Sequence, residues 1–80
     1  MKPGDLLSPR RWNVTYGVPI HYLDVWDRPD GSDTRQESWE HSETGILLQG
    51  RHEDGDLVLV EILLRAERWW VMEDEVEVTS

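Results

Sequence analysis

The segment Gly45–Leu64 places the strongest constraint on the fold of this chain. Two apolar runs, Gly45–Gly50 and Leu57–Leu64, lie on either side of a turn signal built around Asp54 and Gly55. An Asp-Gly pair between apolar runs rich in leucine, isoleucine and valine is typical of a β-hairpin. The sequence therefore predicts a hairpin at the centre of a β-sheet.

The length and the composition of the chain limit what can be built around that hairpin. Eighty residues form one domain, 1–80, which is expected to bury roughly 60% of the surface of the unfolded chain. The absence of cysteine excludes disulfides and thiolate metal sites, and it favours a reducing compartment or a virion over secretion. Met1 is not followed by the apolar stretch of a signal peptide. The longest apolar run, Leu57–Leu64, is too short to span a bilayer, so we expect no membrane association.

The formal net charge of −9 is concentrated in residues 24–44 and 65–80. A polyanion repels phosphate backbones, so we expect no direct binding to nucleic acid. Two interpretations of the carboxylates stay open. They form a solvated surface that keeps the protein soluble, or they act as a decoy that occupies the basic groove of a nucleic-acid-binding protein.

Further strand signals surround the hairpin, whereas helix signals are nearly absent. Short strands are predicted at residues 5–7, 12–16, 20–26, 69–71 and 76–78. Residues 27–44 begin with turn-forming residues and are polar apart from Trp39, so they are predicted to form one long acidic loop. Residues 65–68 fit either a single helical turn or a β-turn. Short strands separated by tight turns favour a small barrel over a sandwich.

The second strand of the hairpin, Leu57–Leu64, is apolar on both of its faces except at Glu61. One face packs in the core, and bare apolar area of this kind rarely stays exposed to water. The other face is therefore expected to be covered. Either the loop 27–44 folds over it, or self-association or a larger partner covers it.

The order of these segments resembles the SH3-like barrels, in particular small proteins of unknown function that tailed bacteriophages encode. The matching segments are Lys2–Leu7, Gly45–Leu48, Trp69–Val71, Met72–Glu75 and Val76–Val78. They cover about half of the chain, and residues 12–44 match no segment of that family. The resemblance implies an all-β fold, a small SH3-like barrel of about five to six strands with a long acidic loop at residues 27–44.

The resemblance does not extend to the peptide-binding groove of SH3 domains, which accepts proline-rich segments between aromatic side chains. Trp69 and Trp70 are similar to the tryptophan pair of that groove. Here, however, the pair leads directly into the closing turn. The proline-tyrosine element and the acidic loop with a tyrosine that accompany the groove are missing.

The chain has five tryptophans and two tyrosines but no phenylalanine, and amphipathic aromatic residues are enriched at protein interfaces. Trp69 and Trp70 are adjacent on a predicted strand, so their side chains point to opposite faces. Trp39 stands alone in a polar stretch, where its contact is either within the fold or with a partner. We predict that Tyr22, Trp26, Trp39 and Trp69 bind a protein partner.

Sequence patterns for cofactors, metals and catalysis are absent. Asp27, Asp30 and Asp33 are spaced three residues apart and lack the glutamate that an EF-hand loop requires. The three histidines have no metal-binding spacing. The glycines are scattered, so there is no phosphate-binding loop, and no nucleophile has a diagnostic context. We predict no metal, no cofactor and no enzymatic activity.

These patterns predict a non-enzymatic protein-binding or structural component. The resemblance implies a phage virion protein or an assembly accessory protein, located in the host cytoplasm or in the virion. Its partner is expected to be a protein, either a phage structural protein or a second copy of the chain. The alternative is an acidic inhibitor or regulator that presents residues 24–44 to a basic host protein as a nucleic-acid mimic. An accessory domain of an enzyme is a third hypothesis.

Overall fold

A computed structural model describes residues 1–10, 14–15, 18–19, 22–29, 35–40 and 42–79. The described strands are β1 (Leu6–Pro9), β2 (Val14–Thr15), β3 (Val18–Pro19), β4 (Tyr22–Trp26), β5 (Gln36–Glu40), β6 (Gly45–Asp54), β7 (Leu57–Leu64), β8 (Glu67–Met72) and β9 (Val76–Val78). Seven of them form one antiparallel sheet in the order β5-β4-β8-β7-β6-β1-β9, and β2 pairs with β3. The large sheet curls into a half-barrel. The all-β prediction is confirmed, and the sheet has more strands than were predicted.

The predicted hairpin is confirmed as β6 and β7, which pair antiparallel with Gly55 and Asp56 as the two-residue loop. Gly55 has a φ of 62°, a left-handed conformation that glycine adopts without steric strain. The register of the hairpin shifts between Leu47 and Arg51. Register irregularities of this kind, of which the β-bulge is the common form, bend a strand and increase its twist.

The predicted loop over residues 27–44 has to be corrected, because Gln36–Glu40 form β5. This strand pairs with β4 along its whole length. β5 lies at an edge of the sheet, and its side chains are exposed except that of Trp39. A polar edge strand with one buried residue lacks the apolar alternation that indicates a strand. Residues 30–34 and 41 of the predicted loop lie outside the described residues.

The connections close to the end of the chain are tight. Arg65 and Ala66 form the turn between β7 and β8 with φ values of 53° and 64°, so the β-turn alternative for residues 65–68 is correct. A 3-10 helix, Glu73–Glu75, separates β8 from β9. The predicted strand at residues 12–16 is described only at Val14–Thr15, and its other residues lie outside the description.

The core lies on one side of the curled sheet. Every strand of the large sheet contributes at least one buried side chain, and these form one cluster: Leu7, Leu23, Val25, Trp39, Leu47, Val60, Ile62, Leu64, Trp69, Val71 and Val76. On β7 the core side chains alternate with those of the opposite side, which we call the outer face. No helix in the described ranges is long and apolar enough to cross a membrane.

Candidate functional site

A groove on the outer face of the sheet is the candidate functional site. Its floor is formed by Leu59 of β7 and Met72 of β8, whose Cα atoms are register partners. Leu59 is only 4% exposed although it does not belong to the core cluster. The groove has a volume of about 630 Å³, which is within the usual range of ligand-binding pockets.

Two elements form the walls of this groove. Trp26, Arg28 and Pro29 form the β4 wall, and residues 52–54 of β6 together with Leu57 form the hairpin wall. In the sheet, β8 and β7 lie between β4 and β6, so the groove spans the width of these two central strands.

The β4 wall is joined to the rest of the sheet by few backbone contacts. Among the described residues, Trp26 and Trp70 are the single register pair between β4 and β8. By contrast, β7 and β8 are paired continuously from Leu59 to Leu64. Regions with few paired backbone groups open at low free energy. We therefore expect that the β4 wall adjusts its distance from the floor more easily than the hairpin wall does.

The charges of the groove lie on its walls. Arg28 belongs to the β4 wall, and Glu53 and Asp54 belong to the hairpin wall. The Nε of Arg51 donates a hydrogen bond of 2.9 Å to Glu53, and its Nη1 donates one of 2.6 Å to Glu73. These two carboxylates raise the pKa of the Arg51 guanidinium. Glu53 is therefore partly neutralised, whereas no ion pair within the described residues involves Asp54.

The structure brings one of the predicted protein-binding residues to the groove, because Trp26 lies on the β4 wall. Trp39 is fully buried, and its Nε1 donates a hydrogen bond of 3.0 Å to the carbonyl oxygen of Glu43. Trp69 is 3% exposed and lies under the guanidinium of Arg35, 4.8 Å from the ring centroid. These two tryptophans therefore contact the chain itself. The side chain of Tyr22 lies outside the description.

Sequence reasoning missed most of the groove residues, which include Pro29, His52, Leu59 and Met72. The surplus apolar face of Leu57–Leu64 was the available signal, since Leu57 and Leu59 belong to it. Among the described residues of the predicted loop, Arg28 and Pro29 line the groove together with Leu59. The sequence predicts Pro29 to lie in the loop 27–44 and Met72 in the closing turn Met72–Glu75, whereas Met72 is the last residue of β8.

The chemistry that the groove offers is contact with apolar groups. No polar or charged side chain of the described residues is buried, so no polar group is fixed at the floor. Within the same part of the chain, no group of three or more His, Asp or Glu side chains is placed to hold a metal ion. Of the three aspartates that are spaced three residues apart, the structure describes Asp27. Its Oδ1 accepts a hydrogen bond of 2.8 Å from the backbone N–H of Arg35. The other two aspartates lie outside the description.

No protein-family model matches this sequence, and neither a curated protein nor a solved structure is significantly similar to the chain.

Proposed function

We propose that the chain is a non-enzymatic protein-binding module and that the groove between the β4 wall and the hairpin wall is its binding site. The observation that carries this proposal is an apolar floor, formed by the buried Leu59 and the partly buried Met72, at the bottom of a groove that opens to solvent. Leu57, 39% exposed, continues the apolar surface up the hairpin wall. Apolar side chains of a partner would remove this surface from water, which drives association.

A polypeptide is favoured over a small molecule as the ligand. Sites for small molecules combine an apolar lining with a few fixed polar groups that orient the ligand. In this groove the polar residues His52, Glu53 and Asp54 are on a wall, and none of them is buried. The groove is open to solvent, so an extended segment bound between the two walls keeps its backbone polar groups in contact with water.

Selection of linear peptides from a displayed random library tests the proposal. Peptides selected on the wild-type protein are measured by fluorescence polarisation against three variants. Leu57→Thr and Met72→Thr remove apolar groove surface and are expected to weaken binding about tenfold, as the loss of one buried apolar contact predicts. Leu6→Thr is the matched control, because Leu6 is 43% exposed and does not line the groove.

Two outcomes would overturn the proposal. If no peptide is selected, or if all three variants bind the peptides as the wild type does, the groove is not a protein-binding site. Circular dichroism of each variant verifies that the sheet is intact, so that weakened binding is not mistaken for unfolding. The result expected is weakened binding in the two groove variants alone.

The finer parts of the proposal are an SH3-like barrel and a place in a phage virion or its assembly, in the host cytoplasm or in the virion. They rest on the resemblance of the segments Lys2–Leu7, Gly45–Leu48 and Trp69–Val78. Mass spectrometry of purified particles from a phage that encodes the chain tests the second part. Absence of the chain from the particles and from their assembly intermediates would contradict it.

A second candidate function is that of an acidic nucleic-acid mimic. It is favoured by the exposed carboxylates of β4, β5 and the bend after β4: Asp24, Asp27, Glu37 and Glu40. The chain would displace purified host nucleic-acid-binding proteins from labelled duplex DNA. This displacement would fall steeply with added salt. Glu37→Gln combined with Glu40→Gln would weaken it, whereas Leu57→Thr would not. Displacement that ignores both salt and these two glutamates excludes the mimic.

A further inference from the structure

The chemistry of the two walls restricts the kind of peptide that the groove accepts, and this step rests on the proposed function. The floor, Leu59 and Met72, has no polar group, so it accepts an apolar side chain. The hairpin wall adds two carboxylates, Glu53 and Asp54. Glu53 already accepts a hydrogen bond from Arg51, which leaves Asp54 as the stronger acceptor for a cation from outside the chain.

The position of Asp54 at the end of β6 makes its carboxylate accessible to a ligand. Its side chain is exposed and lies across the strand pair from Leu57 on the same face of the hairpin, because the two residues are register partners. Asp56 in the adjoining loop adds a further exposed carboxylate close to this wall. A cation on the ligand would thus approach Asp54 while a neighbouring side chain reaches Leu57 and Leu59.

We infer that the ligand of the groove is an extended segment of a partner protein in which an apolar residue and a lysine or arginine are two positions apart, so that both side chains point to the same side of the segment. The apolar side chain rests on Leu59 and Met72, and the cationic side chain contacts Asp54 on the hairpin wall. Arg28 on the opposite wall disfavours a second cation at that side and so gives the segment one preferred orientation. The net charge of −9 increases the rate at which a basic segment is captured.

Two readouts of the peptide selection test this inference. The selected sequences are expected to be enriched in an apolar residue two positions from lysine or arginine. In binding assays, Asp54→Asn is expected to weaken these peptides about two- to fivefold, the usual effect of one solvent-exposed ion pair. Asp74→Asn is the matched control, because Asp74 is also an exposed aspartate, lies on the 3-10 helix and does not line the groove.

The outcomes separate this inference from the proposed function. Peptides that lose affinity in Leu57→Thr but carry no basic residue, and that ignore Asp54→Asn, overturn the inference and leave the protein-binding groove in place. Equal weakening in Asp54→Asn and Asp74→Asn shows general electrostatic attraction only and overturns it as well. Failure to select any groove-dependent peptide overturns both. The variant Asp54→Lys tests the same contact with reversed charge. It is expected to shift selection towards peptides that carry an acidic residue in place of the lysine or arginine.

Discussion

The Nη2 atom of Arg65 donates a hydrogen bond of 2.6 Å to the carbonyl oxygen of Ser38, across 27 positions of sequence. Ser38 is at the centre of the edge strand β5. The ladder between β4 and β5 begins with a hydrogen bond from the backbone N–H of Asp27 to the carbonyl oxygen of Arg35. Hydrogen-bonded and non-hydrogen-bonded pairs alternate along an antiparallel ladder. The carbonyl of Ser38 therefore points away from β4, and Arg65 occupies it from the open side.

At the opposite edge of the sheet, β9, an arginine side chain also binds a backbone carbonyl. The Nε of Arg10 donates a hydrogen bond of 3.2 Å to the carbonyl oxygen of Val76. The backbone N–H of Val76 is bonded to the carbonyl of Glu73 in the 3-10 helix. Unpaired backbone groups on an edge strand are a template for association with other chains. Arginine side chains thus block an outward carbonyl on each edge of the large sheet.

Replacement of Arg65 by methionine is expected to open the β5 edge. The variant keeps most of the aliphatic part of the side chain but loses the bonds to Ser38 and to the carboxylate of Glu43. Because Arg65 is about half exposed, we expect a loss of only about 0.5–1 kcal/mol in the free energy of unfolding. Analytical ultracentrifugation is expected to show self-association at high protein concentration.

Arg68→Met is the control for this experiment, since it removes the same charge. The Arg68 side chain is 74% exposed, and its ion pair with Glu61 is long, at 3.8 Å. This variant should sediment as the wild type does and keep the stability of the wild type. If Arg65→Met and Arg68→Met sediment alike, Arg65 has no role in protecting the edge.

The turn between β7 and β8 holds Arg65 and Ala66 in a left-handed conformation, with φ values of 53° and 64°. A residue with a Cβ atom is strained there by about 1 kcal/mol, whereas glycine is not. Ala66→Gly is therefore expected to raise the free energy of unfolding by about 0.5–1 kcal/mol. Arg65 occupies the other strained position, where the hydrogen bonds of its side chain to Glu43 and Ser38 oppose the strain of its backbone.

The hairpin loop provides the reverse experiment. Gly55 has a φ of 62°, and a Cβ atom added there would meet no heavy atom within 4 Å, so only the backbone conformation opposes substitution. Gly55→Ala should lower the free energy of unfolding by about 1 kcal/mol. Urea denaturation measures both variants, and changes of the same sign in Ala66→Gly and Gly55→Ala would contradict the assignment of strain.

Trp39 connects the edge strand β5 to the core, and its substitution tests that connection. Its ring packs against Gly45, where an added Cβ atom would lie 3.1 Å from Cζ2. Trp39→Ala should cost about 3–5 kcal/mol, enough to unfold most of a small domain of ordinary stability. Trp39→Phe removes the hydrogen bond to Glu43 and should cost about 1–2 kcal/mol. Trp26→Phe, on the half-exposed groove wall, serves as control and should change stability by less than 1 kcal/mol in urea denaturation.

The parts of the fold that the sequence predicted are those whose signals are local. The hairpin of β6 and β7 depends on neighbouring residues and on the left-handed glycine at position 55, so its turn could be located directly. β5 was not predicted because its pairing with β4 and the burial of Trp39 depend on contacts that are distant in sequence. Polar side chains on an edge strand contain no periodic signal.

The candidate site was predicted only as a surplus of apolar side chains on β7. Its location depends on the strand order, which places Met72 beside Leu59 and brings Pro29 to the same groove. Neither the strand order nor the register between β7 and β8 can be deduced from the composition of each segment. For the same reason, the burial of Trp39 and Trp69 and the partial exposure of Trp26 could not be distinguished in advance.

The pH dependence of stability is expected to have opposite signs at two glutamates. Burial raises the pKa of Glu75 above its ordinary value of 4.5, and the nearby carboxylates of Asp74 and Asp24 add to this effect. The folded chain therefore binds a proton at Glu75 more tightly than the unfolded chain does. This contribution to stability is present below pH 4.5 and is lost as the pH rises through the pKa of the folded state. Glu75→Gln should accordingly gain stability relative to the wild type between pH 4 and pH 7.

Glu43 provides the opposite case within the same experiment. The hydrogen bond from Arg65 lowers the pKa of Glu43 below 4.5. Its contribution to stability is thus present above pH 4.5 and is lost as the pH falls through the pKa of the folded state. Glu43→Gln should therefore lose stability relative to the wild type at pH 7 and approach it at low pH. Thermal denaturation of the three proteins across this pH range measures the differences. Parallel pH profiles for the two variants would contradict the assigned environments of both carboxyl groups.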